Sequence, residues 1–572
     1  RDLVRSRGLG DVYKRQEQAG LVKFDFLGLK TLTTLQTAVQ LIARQGVDID
    51  LGTIPLDDAL TYEMLARGET VGVFQVESVG MRKALIGMRP DCFEDIIALV
   101  ALYRPGPMEN IPVYNARKHK EEEVEIIHPK IEPILRETQG VIVYQEQVMQ
   151  IAQVLAGYTL GEADLLRRAM GKKIRAEMDK QRERFVEGCI EGGIPKGQAN
   201  TIFDLLAKFA DYGFNKSHAA AYALVAYHTA YLKANYPTEF LAASMTLDMN
   251  NTDKLNDFRN DAKRLGIEVV APSVQTSFRP FEVEKGRIFY SLAAIKGVGE
   301  YAVDHIVAER ANGPFRSLED FCARIDPKIV NKRTLECLIT AGALDCFGHD
   351  RARLCGNIER LSAYAIMVNE GRLSGQHDMF GGGGEPEPLT LKDAPLWTTA
   401  ERLLREFQSI GFYLSAHPLD EYKAALKRLN VQSYAELTAS VRKGATAGRV
   451  AGTVTSRQER KKRTGGKIGI VQLSDPTGQF EIVLFTEMLV NFRDMLEAGA
   501  SVIVSVSAEE RPEGMSLRAQ GVESLEVQAA RMQKAMKIFM RDARPLASFR
   551  SHLAAGGDSE VSLVLVLSLI HI

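Results

Sequence analysis

Paired cysteines are missing from this 572-residue chain. Its six cysteines, Cys92, Cys189, Cys322, Cys337, Cys346 and Cys355, include no C-x-x-C spacing. That argues against a zinc site and against a disulfide framework, and it predicts reduced thiols in a cytosolic protein. Charge of one sign is missing too. The 72 lysines and arginines nearly cancel 73 aspartates and glutamates, for a net charge of −1. No basic field surrounds the whole molecule, so any contact with nucleic acid must come from local patches. Long hydrophobic runs are also lacking. The apolar stretch at 561–570 is too short to cross a bilayer and is interrupted by serine. No signal-peptide pattern precedes the body and no repeat of fixed period is visible. With 45% hydrophobic and 25% charged residues, the composition is that of a globular chain long enough for several domains.

Residues 1–16 (RDLVRSRGLGDVYKRQ) and 567–572 (LSLIHI) lack the patterning of what they adjoin and look like translated adapter sequence. This predicts an internal piece of a longer protein. Residues 21–29 (LVKFDFLGL) alternate like a strand ending in a turn, and a helix is expected over 31–43. The pattern from 57 to 270 is mostly helical, 278–291 alternates like a hairpin, and 295–347 returns to short helices. Residues 373–391, with four glycines in a row at 381–384, read as a surface linker. Five alternating runs at 450–454, 468–473, 480–485, 501–506 and 515–519 predict a small β-barrel, with the OB class leading.

The densest chemistry lies between 144 and 218. Arg167, Arg168, Lys172 and Lys173 fall in one short run, and Lys216 and His218 follow a Tyr-Gly-Phe-Asn turn. Arg168 and Lys172 share a helix face. A break at Met170-Gly171 would let the second basic pair swing back beside the first, as a triphosphate or nucleic-acid backbone requires. Lys216 and His218 open a helix, where backbone N–H groups favour anions, although a lone histidine is more often structural. Tyr227 and Tyr231, one turn apart, read as core, and Asp58 as a helix cap rather than a ligand. Asp25, between two phenylalanines and on the same strand face as Lys23, is either a divalent-metal ligand or half of an Asp–Lys pair. Arg104 precedes Pro-Gly-Pro and either points at a phosphate or marks a helix stop. Gly297 and Gly299 flank Val298 between helical runs. This is the helix–hairpin–helix pattern or a plain helical hairpin, with Leu292, Ile295, Val298, Val303 and Ile306 at packing positions and 334–344 as a degenerate second copy. Gln376-His-Asp-Met-Phe380 has the look of a peptide that docks apolar anchors in a partner. The basic run holding Arg457, Arg460, Lys461, Lys462, Arg463 and Lys467 reads as a loop between two barrel strands, suited to a single strand's backbone or simply a solvated hairpin tip.

Taken in order, LVKFDFLGLKTLT (21–33), VFQVES (73–78), PDCFEDIIALVALYRPGP (90–107), VIVYQEQVMQIAQVLAGYTLGEADLLRRAMGKK (141–173), FNKSHAAAYALVAYHTAYLKANYP (214–237), IKGVGE (295–300), QHDMF (376–380) and IGFYLSAHP (410–418) resemble the C-family replicative DNA polymerases of bacteria. The resemblance implies a multidomain, mainly α fold with α+β parts. It divides the chain into the end of a polymerase-beta-like palm (17–56), helical fingers (57–285), a helix–hairpin–helix region (286–370), a linker with a clamp-binding peptide (371–395), a helical connector (396–444), an OB barrel (445–527) and the start of a tau-binding domain (528–566). It implies Asp25 as one of three metal-binding aspartates, with Lys23 near the substrate phosphates. Arg104, Arg167, Arg168, Lys172, Lys173, Lys216 and His218 would face incoming nucleotide and template. Gly297, Gly299, Arg460, Lys461, Lys462 and Arg463 would meet DNA, and Gln376, Asp378, Met379 and Phe380 the sliding clamp. Magnesium, primer–template DNA, deoxynucleoside triphosphates, the clamp, the tau subunit and the epsilon exonuclease are the implied cofactor and partners. The family's other two catalytic aspartates form an Asp-x-Asp pair that cannot be placed in the first 24 residues. The expected reading is therefore a polymerase piece inactive by itself; the alternatives are a non-catalytic DNA- and clamp-binding module or an error-prone paralogue.

Overall fold

Helices begin in this chain where short polar side chains can accept the first free amides. Asp58, Ser78, Asn215, Asn251, Ser317, Asn331, Thr398 and Ser433 each accept the backbone N–H of the residue three positions on. The computed structural model describes residues 28–124, 126–172, 175–210, 213–373, 388–461, 467–511, 514–532, 535–540 and 560–565. Asp25, Lys23, Lys173, Gln376, Asp378, Met379, Phe380, Lys462 and Arg463 lie outside the described residues, as does the side chain of Lys172.

Three helical cores, a barrel core and a small cluster of Leu419, Ala451, Ile503 and Leu525 organise the described residues. The first gathers Leu35 and Leu41 of helix Lys30–Ala43 with Phe240, Leu292, Ile306, Leu338 and Phe412. The second packs helix Lys216–Asn235 on Phe93–Leu102 around Tyr114, Tyr144 and the fully buried Tyr227. The third joins Leu135, Val148, Leu155, Leu166, Phe185 and Phe203. Burying one side chain of this size contributes about 1.5–3 kcal/mol. Tyr227 is core as expected. Its hydroxyl donates to Pro55 O at 2.7 Å and accepts from Asp58 N, so one tyrosine tethers the 55–58 segment that leads into helix Ala59–Ala66.

The Met170-Gly171 break is not observed. Helix Leu160–Lys172 runs through it, because a single glycine costs a helix only about 1 kcal/mol and the buried Leu166 and Met170 hold this face on the third core. Arg167 and Arg168 therefore stay on one continuous helix with Lys172. The hairpin expected at 278–291 is present: β1 (Val269–Val270), β2 (Glu282–Glu284) and β3 (Arg287–Phe289) form a small sheet with β3 central. Leu292, Ile295, Val298, Val303 and Ile306 are all buried, as helix–hairpin–helix packing requires.

The five expected strands close into a barrel of order β4-β5-β6-β8-β7: β4 (Ala447–Lys461), β5 (Lys467–Asp475), β6 (Gly478–Leu484), β7 (Ser501–Arg511) and β8 (Gly514–Ser524). β6 and β8 pair in parallel and the other neighbours are antiparallel, with Val450, Val471, Leu473, Ile482, Val504 and Leu517 inside. One expectation changes here. Arg457, Arg460 and Lys461 belong to β4, where Arg460 pairs with Ile468 and Lys461 with Lys467, so the predicted basic loop is mostly a two-stranded extension of the hairpin. Alternating charged residues can extend a pair of strands beyond the hydrophobic core because the ladder needs only backbone groups.

The barrel is joined to the helical body through residues 410–420. Glu406, 1% exposed, accepts from Leu414 N and Ser415 N through Oε1, and from Ser415 Oγ and Arg351 through Oε2. Arg351 also grips Asp345. Beyond this knot, His417 meets Ser474 Oγ of β5 at 3.2 Å.

Candidate nucleic-acid interface

The Gly213–His218 segment sits where two helices begin. Phe214 forms a parallel bridge with Tyr144: its N–H donates to Val143 O at 3.1 Å, and its carbonyl accepts from Gln145 N at 2.9 Å. Gln145 also reaches Gly213 O through its side-chain amide at 3.0 Å. Asn215 caps helix Lys216–Asn235 by accepting His218 N at 2.8 Å. The Glu146 carboxylate, from the first turn of helix Gln145–Ala156, accepts Lys216 N. One crossing thus fixes both helix starts and the side chains between them.

Cations from three segments converge on that crossing. The Arg104 guanidinium lies over the Phe214 ring at 4.1 Å and donates to Ala101 O at 3.0 Å. Burial lowers its pKa from the ordinary arginine value. Arg167 donates to Gln145 Oε1 at 3.2 Å and to Asp164 at 2.7 Å, while Arg168 takes the other Asp164 oxygen at 2.9 Å. The hydrogen bond from Arg167, then the charges of both arginines, hold the Asp164 carboxyl below its usual range. A single carboxylate between two guanidiniums aims them without neutralising both. Lys216 Nζ lies 2.7 Å from Glu137 and 5.5 Å from the Tyr144 ring centre. So Arg104, Arg167, Arg168 and Lys216, read as one site from the sequence, are linked through Phe214, Gln145 and Tyr144.

His218 is exposed and lies in a row of rings: its centroid is 5.4 Å from Phe214, edge-on, and 4.4 Å from Tyr222, which in turn is 5.5 Å from Phe74. Phe214, Tyr222 and Phe74, with the orienting acids Glu137, Glu146 and Asp164, were missed by sequence reasoning. The four-residue spacing of Phe214, His218 and Tyr222 carried the signal, hidden by the neighbouring core tyrosines. A row of half-buried rings beside fixed cations can hold a phosphate chain at one end and the flat faces of sugar and base at the other.

Gly297 and Gly299 do not join this cluster; they belong to the first core's hairpin. Gly297 has φ +83°, and a Cβ there would lie 2.9 Å from Cys337 Sγ, so its bareness serves close packing on helix Lys332–Thr340. Gly299 opens helix Glu300–Ala311, accepts Ala302 N at 3.0 Å, and has open space where a side chain would be. Arg460 and Lys461 lie on β4. Among the described residues one group has metal-ligand geometry, Asp91, Cys92 and Asp95. The Lys118 ammonium already lies 2.6 Å from Asp91 and 2.7 Å from Asp95, and Tyr114 OH donates to Asp95 at 2.9 Å. That group is a satisfied structural ion pair. The described residues therefore do not fit a pair of catalytic ions, which needs several carboxylates facing substrate phosphates. No described helix is long and apolar enough to cross a membrane.

Comparison with known proteins matches three regions of the chain to described domains. The family model of the bacterial DNA polymerase III alpha subunit finger domain matches residues 31–193. A helix–hairpin–helix motif matches 266–354 and an OB-fold nucleic acid binding domain matches 449–525. The chain is 52% identical over 499 residues to the DNA polymerase III subunit alpha of Caulobacter vibrioides, covering 86% of this chain and 43% of that protein. The subunits from Pseudomonas aeruginosa and Rickettsia bellii are 45% and 41% identical, with 89% and 96% of this chain and 46% and 49% of theirs covered. Among solved structures, the yeast mitochondrial single-stranded DNA binding protein Rim1 matches 14% of this chain and 95% of its own at 22% identity and a TM-score of 0.13, a likeness too slight to bear on the fold. The chain spans less than half the length of these curated relatives. Finger, hairpin and barrel matches in one order, with this identity over most of the chain, place it in the family of bacterial DNA polymerase III alpha subunits.

Proposed function

We propose that this chain is the nucleotide-gripping and DNA-holding part of a DNA-directed DNA polymerase. The observation that carries the reading is the crossing of Phe214 with Tyr144, which assembles Arg104, Arg167, Arg168, Lys216 and His218 from three separate segments. The cations take the triphosphate of an incoming deoxynucleotide and the ring row faces its sugar, with His218 beside the sugar. Lys172 and Lys173 extend the same basic run toward the template. The complete enzyme adds nucleotides to a primer 3′-hydroxyl with magnesium, by the two-metal route. Asp25 and Lys23 belong to that other half of the site, whose remaining carboxylates this chain does not supply, so the chain alone is inactive.

Two results test this. The purified chain should give no magnesium-dependent primer extension, whereas a version lengthened through the rest of the palm should. In the lengthened enzyme, Arg168→Ala should lower kcat/KM for the nucleotide about 10- to 100-fold, the loss of one charge-assisted contact. Arg168 is exposed on its helix, so folding should not change. Extension by the short chain, or an unaltered kcat/KM in the variant, defeats the corresponding part.

The Gln376–Phe380 peptide is proposed to bind the sliding clamp through Gln376, Asp378, Met379 and Phe380, with tau and epsilon as partners of the full-length protein. Met379→Ala with Phe380→Ala should weaken clamp binding at least about 30-fold, as for two buried anchors, and leave DNA affinity alone. Equal clamp affinity would remove the peptide from that interface. Gly297 and Gly299 are assigned to duplex backbone, and the Arg460–Arg463 run to single-stranded template, where its removal should flatten the salt dependence of binding.

A further inference from the structure

Helix Thr252–Arg264 presents Asn256, Arg259, Asn260 and Lys263 on one face, since positions i, i+3, i+4 and i+7 align. On another side of this helix the stripe of Leu255, Phe258 and Ala262 is apolar and packed. The first face is polar, and a cavity of about 260 Å³ separates it from the β5–β6 turn and the 413–420 segment of the joint. Several waters would fit this volume, at about 30 Å³ each.

Neither cation on this wall, Arg259 or Lys263, forms an ion pair among the described residues. Asn256 is only 8% exposed, lines the cavity, and its amide has no hydrogen-bond partner among the described residues. That amide is reached by solvent through the cavity and can donate to water or a ligand there. Arg259 donates to Asn260 Oδ1 at 3.3 Å and Leu414 O at 3.1 Å, which leaves further N–H groups of its five. Burial lowers its pKa, against only partial compensation by Asp420 and Glu406. Lys263 is exposed and makes no ion pair among the described residues. Opposite them, Asp475 already accepts from Tyr434 N, Thr477 and Gly478 N, and Asp420 from His417 N and Lys423. Two cations and two amides thus face two carboxylates across the cavity, Asp420 paired with Lys423 and Asp475 bonded by neutral groups alone and still charged.

We propose that this cavity between the helical body and the barrel is a phosphate-binding subsite, with Arg259 and Lys263 supplying charge and Asn256 and Asn260 supplying neutral donors. Neither the fingers nor any catalytic ion enters the argument, so it goes beyond the polymerase reading. The ligand is a tetrahedral phosphate group, from a phosphodiester of single-stranded DNA on the neighbouring barrel or from free inorganic phosphate.

The test uses the whole chain, its Lys263→Gln form and its Arg259→Gln form. Thermal unfolding is measured in inorganic phosphate and in chloride at equal ionic strength. Binding of a labelled oligothymidine is measured across salt. Phosphate should raise the Tm of the parent chain, and Lys263→Gln should abolish the rise. If the ligand is a phosphodiester, Lys263→Gln should also make the log K against log salt slope shallower by about 0.7, one phosphate contact on a single strand. A lost Tm rise with an unchanged slope assigns the site to free phosphate; a shallower slope without any Tm rise assigns it to DNA backbone. If both readouts match the parent in Lys263→Gln, or if Arg259→Gln keeps the phosphate-induced rise in Tm, the subsite does not exist. Neutralising Arg460 and Lys461 in parallel keeps a failure here separate from a failure of the barrel to bind DNA.

Discussion

Replacing Glu406 with alanine should destabilise the helical body by about 3–5 kcal/mol, the cost of removing one partner from a buried ion pair. Its carboxylate is 1% exposed and serves four donors: Arg351, the hydroxyl of Ser415 and two backbone amides at the bend of 414–415. Alanine would leave the buried Leu414 amide and the part-buried Ser415 amide without acceptors and Arg351 with Asp345 and Thr340 O. Glutamine keeps an oxygen for the amides and should cost distinctly less. Equilibrium urea unfolding of the three proteins reads the difference. A loss under about 1 kcal/mol in the alanine form would show that the bend is held by packing of Phe412 and Leu414 instead.

Acidification should weaken the same joint from its other side. His417 is 7% exposed, accepts Leu419 N through Nδ1 at 3.1 Å and meets Ser474 Oγ through Nε2. A proton on Nδ1 would oppose the Leu419 N–H. Burial first, with Arg259 and Lys263 adding to it and Asp420 opposing, pushes the imidazole from 6.5 down to about 4. The folded histidine stays neutral where the unfolded one is protonated, so the unfolded chain binds more protons between these values. Stability is therefore complete above pH 6.5 and is lost as pH falls toward 4, by about 3 kcal/mol at about 1.4 kcal/mol per pH unit. His417→Asn, whose amide oxygen can still accept from Leu419, should lack this component. Urea midpoints at pH 7.5, 6, 5 and 4.5 give the comparison, and parallel profiles for the two proteins would refute the histidine's part.

Much of the architecture was legible in the residues. The strands β5, β6 and β8 alternate between a buried and a more open face, whereas 450–454 of β4 and 502–504 of β7 are buried throughout and were found by their β-branched, apolar content. The buried set Leu292, Ile295, Val298, Val303 and Ile306 followed from spacing alone. Local competition misled twice. Gly171 looked like a break, yet the packing of Met170 outweighed its weak helix preference, and the basic run at 457–461 looked like a loop, yet backbone pairing continued through it.

The cations were identified by residue type, since a run of arginines and lysines is visible without a fold. What orients them was not. Asp164 is one turn from Arg168, but Glu137 reaches Lys216 across 79 positions and Phe214 meets Tyr144 across 70. Sequence by itself determined which elements form and which side chains carry charge, because periodicity and caps act over a few residues. Only the tertiary structure decided that Arg104, Arg167 and Lys216 share one wall, that Gly297 is bare for Cys337, and that Asn256 opens onto a cavity. Those outcomes depend on contacts between distant segments, and no local pattern encodes which distant partner a side chain will meet.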